Sequence, residues 1–290
     1  MESITVDELD QQLAQCLAVD GRASFSAIAE VIGVSDQTVA RRYRRLRSAG
    51  LLRVVGLKWV RSAGGTNWFL RLRCVPGSGE AIAATLARRN DTRWVQLLSG
   101  DTEVLCALRE DGAGRTESLL TRLPRSGRIV AVSAFSRLHV FAGKRDDLGF
   151  IDVLPAERVA PLQFPACPVP SRPSASPGPE GAGPSATDLD QALFDALAMD
   201  GRTPYAELAT ATGWSESRVR RRMDQLRADG LLYFRVELDL PAFGFHNATW
   251  LWLSVPPSYL SGVERLETSP IIRVLKQASP VMMPGPNNLA

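Results

Sequence analysis

The chain repeats itself at a fixed offset of 180 residues, and this constrains its fold more than any other feature. Residues 9–52 and 189–232 align without a gap and agree at 20 of 44 positions. The same offset carries on beyond this block, placing Val75-Pro76 on Val255-Pro256 and Trp94-Val95 on Val274-Leu275. Self-similarity at a constant spacing marks a structural unit used twice. The chain therefore reads as a two-part unit and its copy, in the order A-B-A′-B′. A length of 290 residues agrees, because one ordinary core does not grow that large.

Between the copies the composition changes. Residues 161–184 hold eight prolines among Gly and Ser. Such a segment buries too little apolar surface to offset its ordering entropy, so a linker is expected over 160–186. In extended form it would span on the order of 75 Å, more than the ~34 Å between successive major-groove half-sites. The rest of the chain is globular in composition, with 45% apolar and 22% charged residues. No stretch approaches the roughly 18 apolar residues needed to cross a bilayer, so no membrane partner is expected. The acidic start MESITVDELDQQL has no basic-then-apolar leader pattern, and a cytoplasmic location is expected. Cys16, Cys74, Cys106 and Cys167 are scattered without redox or metal-ligand spacing; Cys74 and Cys106 sit in apolar runs as plain core residues.

Unit A, residues 1–60, has the pattern of a helix-turn-helix with a trailing strand. A helix over 6–19 carries Leu9, Leu13, Cys16 and Leu17 at helical spacing, and Asp20-Gly21-Arg22 ends it, with Gly21 expected in the left-handed conformation. A second helix begins near Ser24; Thr203-Pro204 in the copy suggests a cap with proline at the first helical position. Gly33-Val34-Ser35 forms the turn, Ser35 caps the third helix, and Leu51–Leu57 reads as a wing. At about 100° per residue, Val39, Tyr43 and Leu46 share an inward arc, while Gln37, Thr38, Arg41, Arg44 and Arg45 share the opposite one. Residues 35–49 hold five arginines against one acid, a footprint for a polyanion. In a major groove, Arg can bind guanine bidentately and Gln adenine. Arg42, Arg47 and Arg53 suit phosphates, which fix position without specifying sequence. In the copy, 187–240, the corresponding residues are Ser215, Ser217, Arg218, Arg221, Arg222, Asp224 and Gln225; Asp224 would repel a phosphate.

Unit B, residues 66–145, alternates differently. Strands are expected over 68–75, 93–99, 103–109 and 129–141, with helices over 78–90 and 116–123. The order βαββαβ is ferredoxin-like, an antiparallel sheet with helices on one face. Its other face also needs cover, so pairing with a second copy is expected, as a homo-oligomer or an intramolecular pseudo-dimer. The second copy, 246–290, has a strand over 248–255, a helix over 259–267 and a strand over 271–276, and then a tail without pattern. It reads as truncated. Lacking strands three and four, it cannot close a sheet alone and is expected either to be poorly ordered or to complete a sheet with B or with another chain. The fold class is thus α+β: winged helix-turn-helix domains plus a ferredoxin-like effector and dimerisation domain, tandemly repeated.

Together, Leu9-Asp10, Asp20-Gly21-Arg22, Ser35 with Val39-Ala40-Arg41-Arg42, Arg45-Leu46 and Gly50-Leu51-Leu52 resemble the Lrp/AsnC (feast/famine) family of transcriptional regulators. Gly100 with Glu103 stands where that family has a Gly-x-x-Asp turn. The resemblance covers about residues 7–142, then 187–279 less completely. It implies double-stranded DNA as partner, and a B unit that dimerises and binds a small effector, commonly an amino acid. Gly100, Asp101 and Glu103 would then belong to the effector site. The chain departs from the family's usual single A-B unit, so a dimer's two halves would lie in one polypeptide and the preferred DNA site need not be palindromic.

An enzyme is the rival class. Only two histidines are present, His139 and His246, and neither lies in a cluster with ligand spacing. No phosphate loop or nucleophile elbow occurs, so no catalytic residue, metal or cofactor is expected. Some tetrapyrrole decarboxylases share this architecture, which keeps a sirohaem-type decarboxylase as the alternative. A protein-interaction module, with A′ and B′ as dimerisation surfaces, is a third reading compatible with DNA binding by A.

Overall fold

The apolar spacing of each copy sets its helices. The computed structural model describes residues 5–58, 66–89, 91–110, 127–136, 151–164, 190–254 and 265–276. Along them run α1 (Glu8–Val19), α2 (Phe25–Ile32), α3 (Asp36–Ser48), β1 (Leu52–Lys58), β2 (Thr66–Cys74), α4 (Gly79–Ala87), β3 (Thr92–Leu98), β4 (Glu103–Glu110) and β5 (Ile129–Ser136). There follow α5 (Ala156–Val159), α6 (Gln191–Met199), α7 (Tyr205–Thr212), α8 (Glu216–Ala228), β6 (Leu232–Leu238), β7 (Thr249–Ser254) and β8 (Arg265–Lys276). The chain divides by contacts into two units that interleave in sequence. One draws on 1–61 and 139–243, the other on 62–138 and 244–283. Like pairs with like: A folds with A′, and B with what remains of B′.

In the first unit each helix has its local cause. Asp7 and Asp10 form a reciprocal capping box on α1, and Ser24 caps α2 by accepting from Ala27 N. Gly33 turns the chain at φ 85° and Ser35 caps α3. In the copy, Pro204 itself occupies the cap position of α7, one residue later than expected, and Thr203 Oγ1 donates to Asp200 O. The wing strands do not fold back within their own domains. β1 pairs antiparallel with β6, in a register that sets Val55 opposite Arg235, its own counterpart at the 180-residue offset. Every other rung follows symmetrically about that pair. The arrangement is the isologous geometry of a two-fold dimer, built inside one polypeptide.

The repeated Asp-Gly-Arg corner makes this interface. Arg22 Nη1 donates to the carbonyls of Gly201 (2.8 Å) and Thr203 (3.1 Å), and Arg202 Nη1 donates to that of Gly21 (2.7 Å). Arg22 lies over the Tyr205 ring at 4.8 Å, and Arg202 over Phe25 at 4.5 Å. Arg47 pairs with Asp200 at 2.7 Å, and Arg227 with Asp20 at 2.9 Å. Apart from the bond to the Thr203 carbonyl, each of these contacts has its mate 180 residues on. Gly21 is not left-handed, contrary to the expectation from sequence; the corner is small because the other half presses against it. A Cβ on Gly21 would stand 2.7 Å from Phe234 Cβ and 2.8 Å from Val54 Cγ1, and one on Gly201 would stand 2.9 Å from the Val55 carbonyl carbon.

The start of the expected linker needs correction. Residues 151–164 are folded onto the first helix-turn-helix, burying Ile151, Leu154, Val159 and Leu162. The Gln15 side chain accepts from the amides of Val153 (3.1 Å) and Leu154 (2.8 Å) and donates to the Leu154 carbonyl at 2.9 Å. Pro161 sits in a short 3-10 turn, Ala160–Leu162, and Phe164 lies 3.5 Å beneath the Arg227 guanidinium. These apolar side chains, interleaved with the first prolines, supply the burial that the proline-rich composition concealed. The remainder of the expected linker, 165–186, lies outside the described residues.

In the second unit the sheet order is β5-β2-β4-β3-β8-β7. The first four strands have the ferredoxin-like order, with the B unit's fourth strand, first, third and second side by side. One face packs Leu70, Leu72, Val95, Leu97, Val104, Cys106 and Leu108 against Ala83 and Leu86 of α4. The expected helix over 116–123 lies outside the described residues. The second copy joins this sheet, but not in ferredoxin-like form. β7 and β8 are directly hydrogen-bonded neighbours, and Arg265–Glu267, expected in a helix, open β8. β8 changes partner along its length: Arg265–Pro270 pair with β7, and Ile271–Lys276 with β3. The proline at that corner has no N–H for a ladder, which suits a strand leaving one partner for another. β7 is thereby folded over the sheet face opposite α4. Trp250 stands 6.1 Å from Phe69 and 6.3 Å from Trp94, and Trp252 stands 5.7 Å from Phe135. Part of the uncovered face thus finds its cover within the same chain, while Val130 and Phe135 remain exposed.

Candidate nucleic-acid interface and effector cleft

The periodicity of α3 divides its surface as expected on the inner side. Val39, Tyr43 and Leu46 are buried, and burial pushes the Tyr43 phenol up to about 12. Ser35 Oγ accepts from Thr38 N at 3.2 Å and lies 2.9 Å from Thr38 Oγ1, which fixes the first turn. Gln37, Arg41, Arg44 and Arg47 are exposed, and Thr38 is half-buried. Arg41 and Arg44 have no carboxylate partner among the described residues; Arg44 Nε donates to its own helix at Ala40 O.

Arg42 and Arg45 differ from the expectation. Arg42 Nη1 donates to both carboxylate oxygens of Asp7 at 2.7 Å and to Asp10 Oδ1 at 2.9 Å, and Arg45 Nη2 donates to Asp10 Oδ2. Asp10 is fully buried. A carboxylate so placed is stable only while its cations stay, since breaking one side of a buried pair costs about 3–5 kcal/mol. The two arginines therefore clamp α3 to α1. Helical arithmetic put Arg45 on the outer arc, but its long side chain reaches around the helix to Asp10. Burial alone would raise the Asp7 carboxyl, yet its hydrogen bonds to Arg42 and to the Asp10 amide outweigh that and hold it below the usual value. Arg47 combines exposure with the Asp200 pair.

The copy follows the same plan with fewer cations. Val219, Met223 and Leu226 of α8 are buried, and Ser215 caps it, accepting from Arg218 N at 3.3 Å. Ser217, Arg218, Arg221, Asp224 and Gln225 are exposed. Arg218 stacks on Trp214 at 4.4 Å, while Arg222 is held by the buried Asp190 at 2.6 Å, repeating the Arg42–Asp10 clamp. Sequence reasoning passed over Arg220, exposed and 4.4 Å above Tyr205. It also passed over Arg22 and Arg202, although the twice-used Asp-Gly-Arg was a signal for them.

In the second unit, the turn between β3 and β4 puts Ser99, Gly100 and Asp101 in succession at φ 51°, 63° and 70°. Asp101 Oδ1 accepts from Glu80 N at 2.6 Å and so caps α4, whose own cap residue Ser78 makes no such bond. Glu103 is buried. Its Oε1 accepts from Arg71 Nε (3.2 Å) and Nη2 (2.8 Å), and its Oε2 from Ser99 Oγ (3.1 Å) and Ser269 Oγ (3.0 Å). Trp252 Nε1 donates to Ser269 Oγ at 3.2 Å and its ring lies 5.0 Å under Arg71. Of the three expected effector residues, only Glu103 lines the open cleft of about 420 Å³ beside the turn; Arg71, Arg73, Cys74, Pro76, Ser99, Thr102 and Val130 complete it. Gly100 and Asp101 shape its rim. Among the described residues no cluster of metal-ligating side chains occurs, and no helix is long and apolar enough to cross a membrane.

An AsnC-type helix-turn-helix domain matches residues 6–47 and again 187–227. The chain is similar to the HTH-type transcriptional regulator FL11 of Pyrococcus abyssi, 23% identical over 119 residues that span 40% of this chain and 79% of the relative. It is likewise similar to the HTH-type transcriptional regulator LrpA of the same organism, 29% identical over 94 residues, 32% of this chain and 67% of the relative. Among solved structures, the siroheme decarboxylase NirDL in complex with an iron-uroporphyrin III analogue shares the fold over 93% of this chain and 95% of its own, at a TM-score of 0.51 and 10% identity. The AsnC-type helix-turn-helix domain is thus matched at both copies, and the curated relatives the chain is similar to are HTH-type transcriptional regulators.

Proposed function

We propose that this chain is a DNA-binding transcriptional regulator in which one polypeptide supplies two unequal reading heads. The observation that carries this reading is the exposed row Gln37, Arg41 and Arg44 on α3, set in one unit with the exposed Ser217, Arg218 and Arg221 on α8. Arg41 and Gln37 are suited to base edges, and Arg44, Arg47 and Arg221 to phosphates. The clamped Arg42, Arg45 and Arg222 support the reading helices from behind. Because the heads differ, the favoured duplex has two unlike half-sites. Selection of bound fragments from a random pool is expected to return such a site; a perfect inverted repeat would overturn the asymmetry.

The two cationic roles separate experimentally. Arg41→Ala is expected to cost about 1–3 kcal/mol on the selected site and to relax preference at one base pair. Arg47→Ala is expected to weaken all duplexes alike and to lower the salt slope by about one. Equal, sequence-blind losses from both would remove Arg41 from base reading.

A small effector is proposed to act at the cleft beside the Ser99–Glu103 turn. The pseudo-dimer of the helix-turn-helix domains leaves further association of chains open to the sheet unit. The shared architecture with NirDL favours one second reading, tetrapyrrole decarboxylation, though a likeness at 10% identity speaks to fold alone; His139, the histidine the sequence offers for it, lies outside the described residues. Turnover of a tetrapyrrole by protein that ignores duplex DNA would favour that reading over regulation.

A further inference from the structure

We infer that the cleft beside the β3–β4 turn selects a small anionic acid without an ammonium group, rather than a zwitterionic amino acid. This rests on the effector reading above and sharpens it. Among the described residues, the cleft's charged lining consists of two guanidiniums, Arg71 and Arg73, and one carboxylate, Glu103. Arg71 and Arg73 are two apart on β2 and so project to the same side of the sheet. Arg73 is exposed and has no carboxylate partner among the described residues.

Glu103 cannot serve an incoming cation. A carboxylate offers about four lone-pair sites, and four donors already occupy them: Arg71 Nε, Arg71 Nη2, Ser99 Oγ and Ser269 Oγ. Asp101, the other acid of the turn, is outside the lining and is committed to the amide of Glu80. Among the described residues, an ammonium entering here would meet two like charges and no acidic group with spare acceptor capacity, and like charges a few ångströms apart disfavour binding. A carboxylate or similar anion would instead take the Arg73 fork, a charge-assisted and geometrically matched pairing. Val130 and Pro76 give the remaining wall an apolar character suited to a short carbon chain.

Matched pairs of ligands test this, because each pair differs only at the amino position. Calorimetric titration of the full chain with 4-methyl-2-oxopentanoate against L-leucine, and with 2-oxoglutarate against L-glutamate, is expected to show at least one oxo acid binding about tenfold or more tightly than its amino partner. Inorganic phosphate serves as the anion without a carbon chain. Arg73→Gln is expected to weaken the oxo acid about tenfold, with Arg73→Lys retaining part of the affinity. An amino partner that binds as tightly as its oxo acid, or an affinity unmoved by Arg73→Gln, overturns the anion selection and leaves the effector reading standing. No binding by any probe up to about 10 mM overturns both. The salt-dependent DNA titration, run on the same sample, reports separately on the reading heads.

Discussion

Asp10→Ala is expected to lower the stability of the first helix-turn-helix by about 3 kcal/mol, because it removes the buried carboxylate that Arg45 reaches and one of the two that hold Arg42. Arg42 keeps its pair with Asp7, but the tie from α3 to the buried carboxylate of α1 is lost, and the buried Nε atoms of Arg42 and Arg45 have no hydrogen-bond partner to compensate. Asp190→Ala, at the equivalent place, leaves one described cation, Arg222, without its carboxylate and should cost less. Urea unfolding of the full chain with each substitution, alongside hydrogen exchange of α1 and α3, measures the difference. Equal losses at the two positions, or a loss below about 1 kcal/mol at Asp10, would show that the clamp does not hold the helices. Acid should reproduce part of the effect. Asp7 has its folded pKa below its unfolded one, so its contribution is full above the unfolded value and is lost as pH falls through the folded one.

Gly21→Val is expected to weaken binding to the selected duplex by about 100-fold while leaving the helical content of each domain in place. The added side chain would collide with Phe234 and Val54 at the junction of the two halves. Once parted, the heads lose the effective concentration that joins two weak contacts into one strong one. The salt slope should fall toward that of a single head. Gly201→Val gives an independent check, because it strikes the β1 backbone from the other side. Affinity unchanged by either substitution would mean that one head suffices.

Much of this fold was legible because its signals are local. The 180-residue offset announced two copies, and Gly33 and Ser35 bracketed α3. The alternation of 92–98 and 103–110 placed two strands within a residue or so. What escaped the sequence depended on tertiary partners. No spacing rule shows that β1 pairs with β6, or that Gly21 is small because Phe234 lies against it. Arg45 was assigned by its angle on the helix, and the buried carboxylate of Asp10 recaptured it. Residues 265–267 carried the helical pattern of the other copy, but pairing with β7 draws them into a strand. The cleft was approached through Gly100 and Glu103, while Arg73, which has no carboxylate partner among the described residues, stands on a strand whose alternation gave no hint of a ligand.

The pairing of Val55 with Arg235 puts a pseudo-symmetry axis between two residues that are not alike. In an assembly of identical subunits, any change beside such an axis appears twice, and a mismatch introduced on one side is met by the same mismatch on the other. A tandem chain has no such restriction. One half can acquire Arg235 or Asp224 while the other keeps Val55 or Arg44, so base recognition and partner recognition are free to drift apart without dissolving the pair.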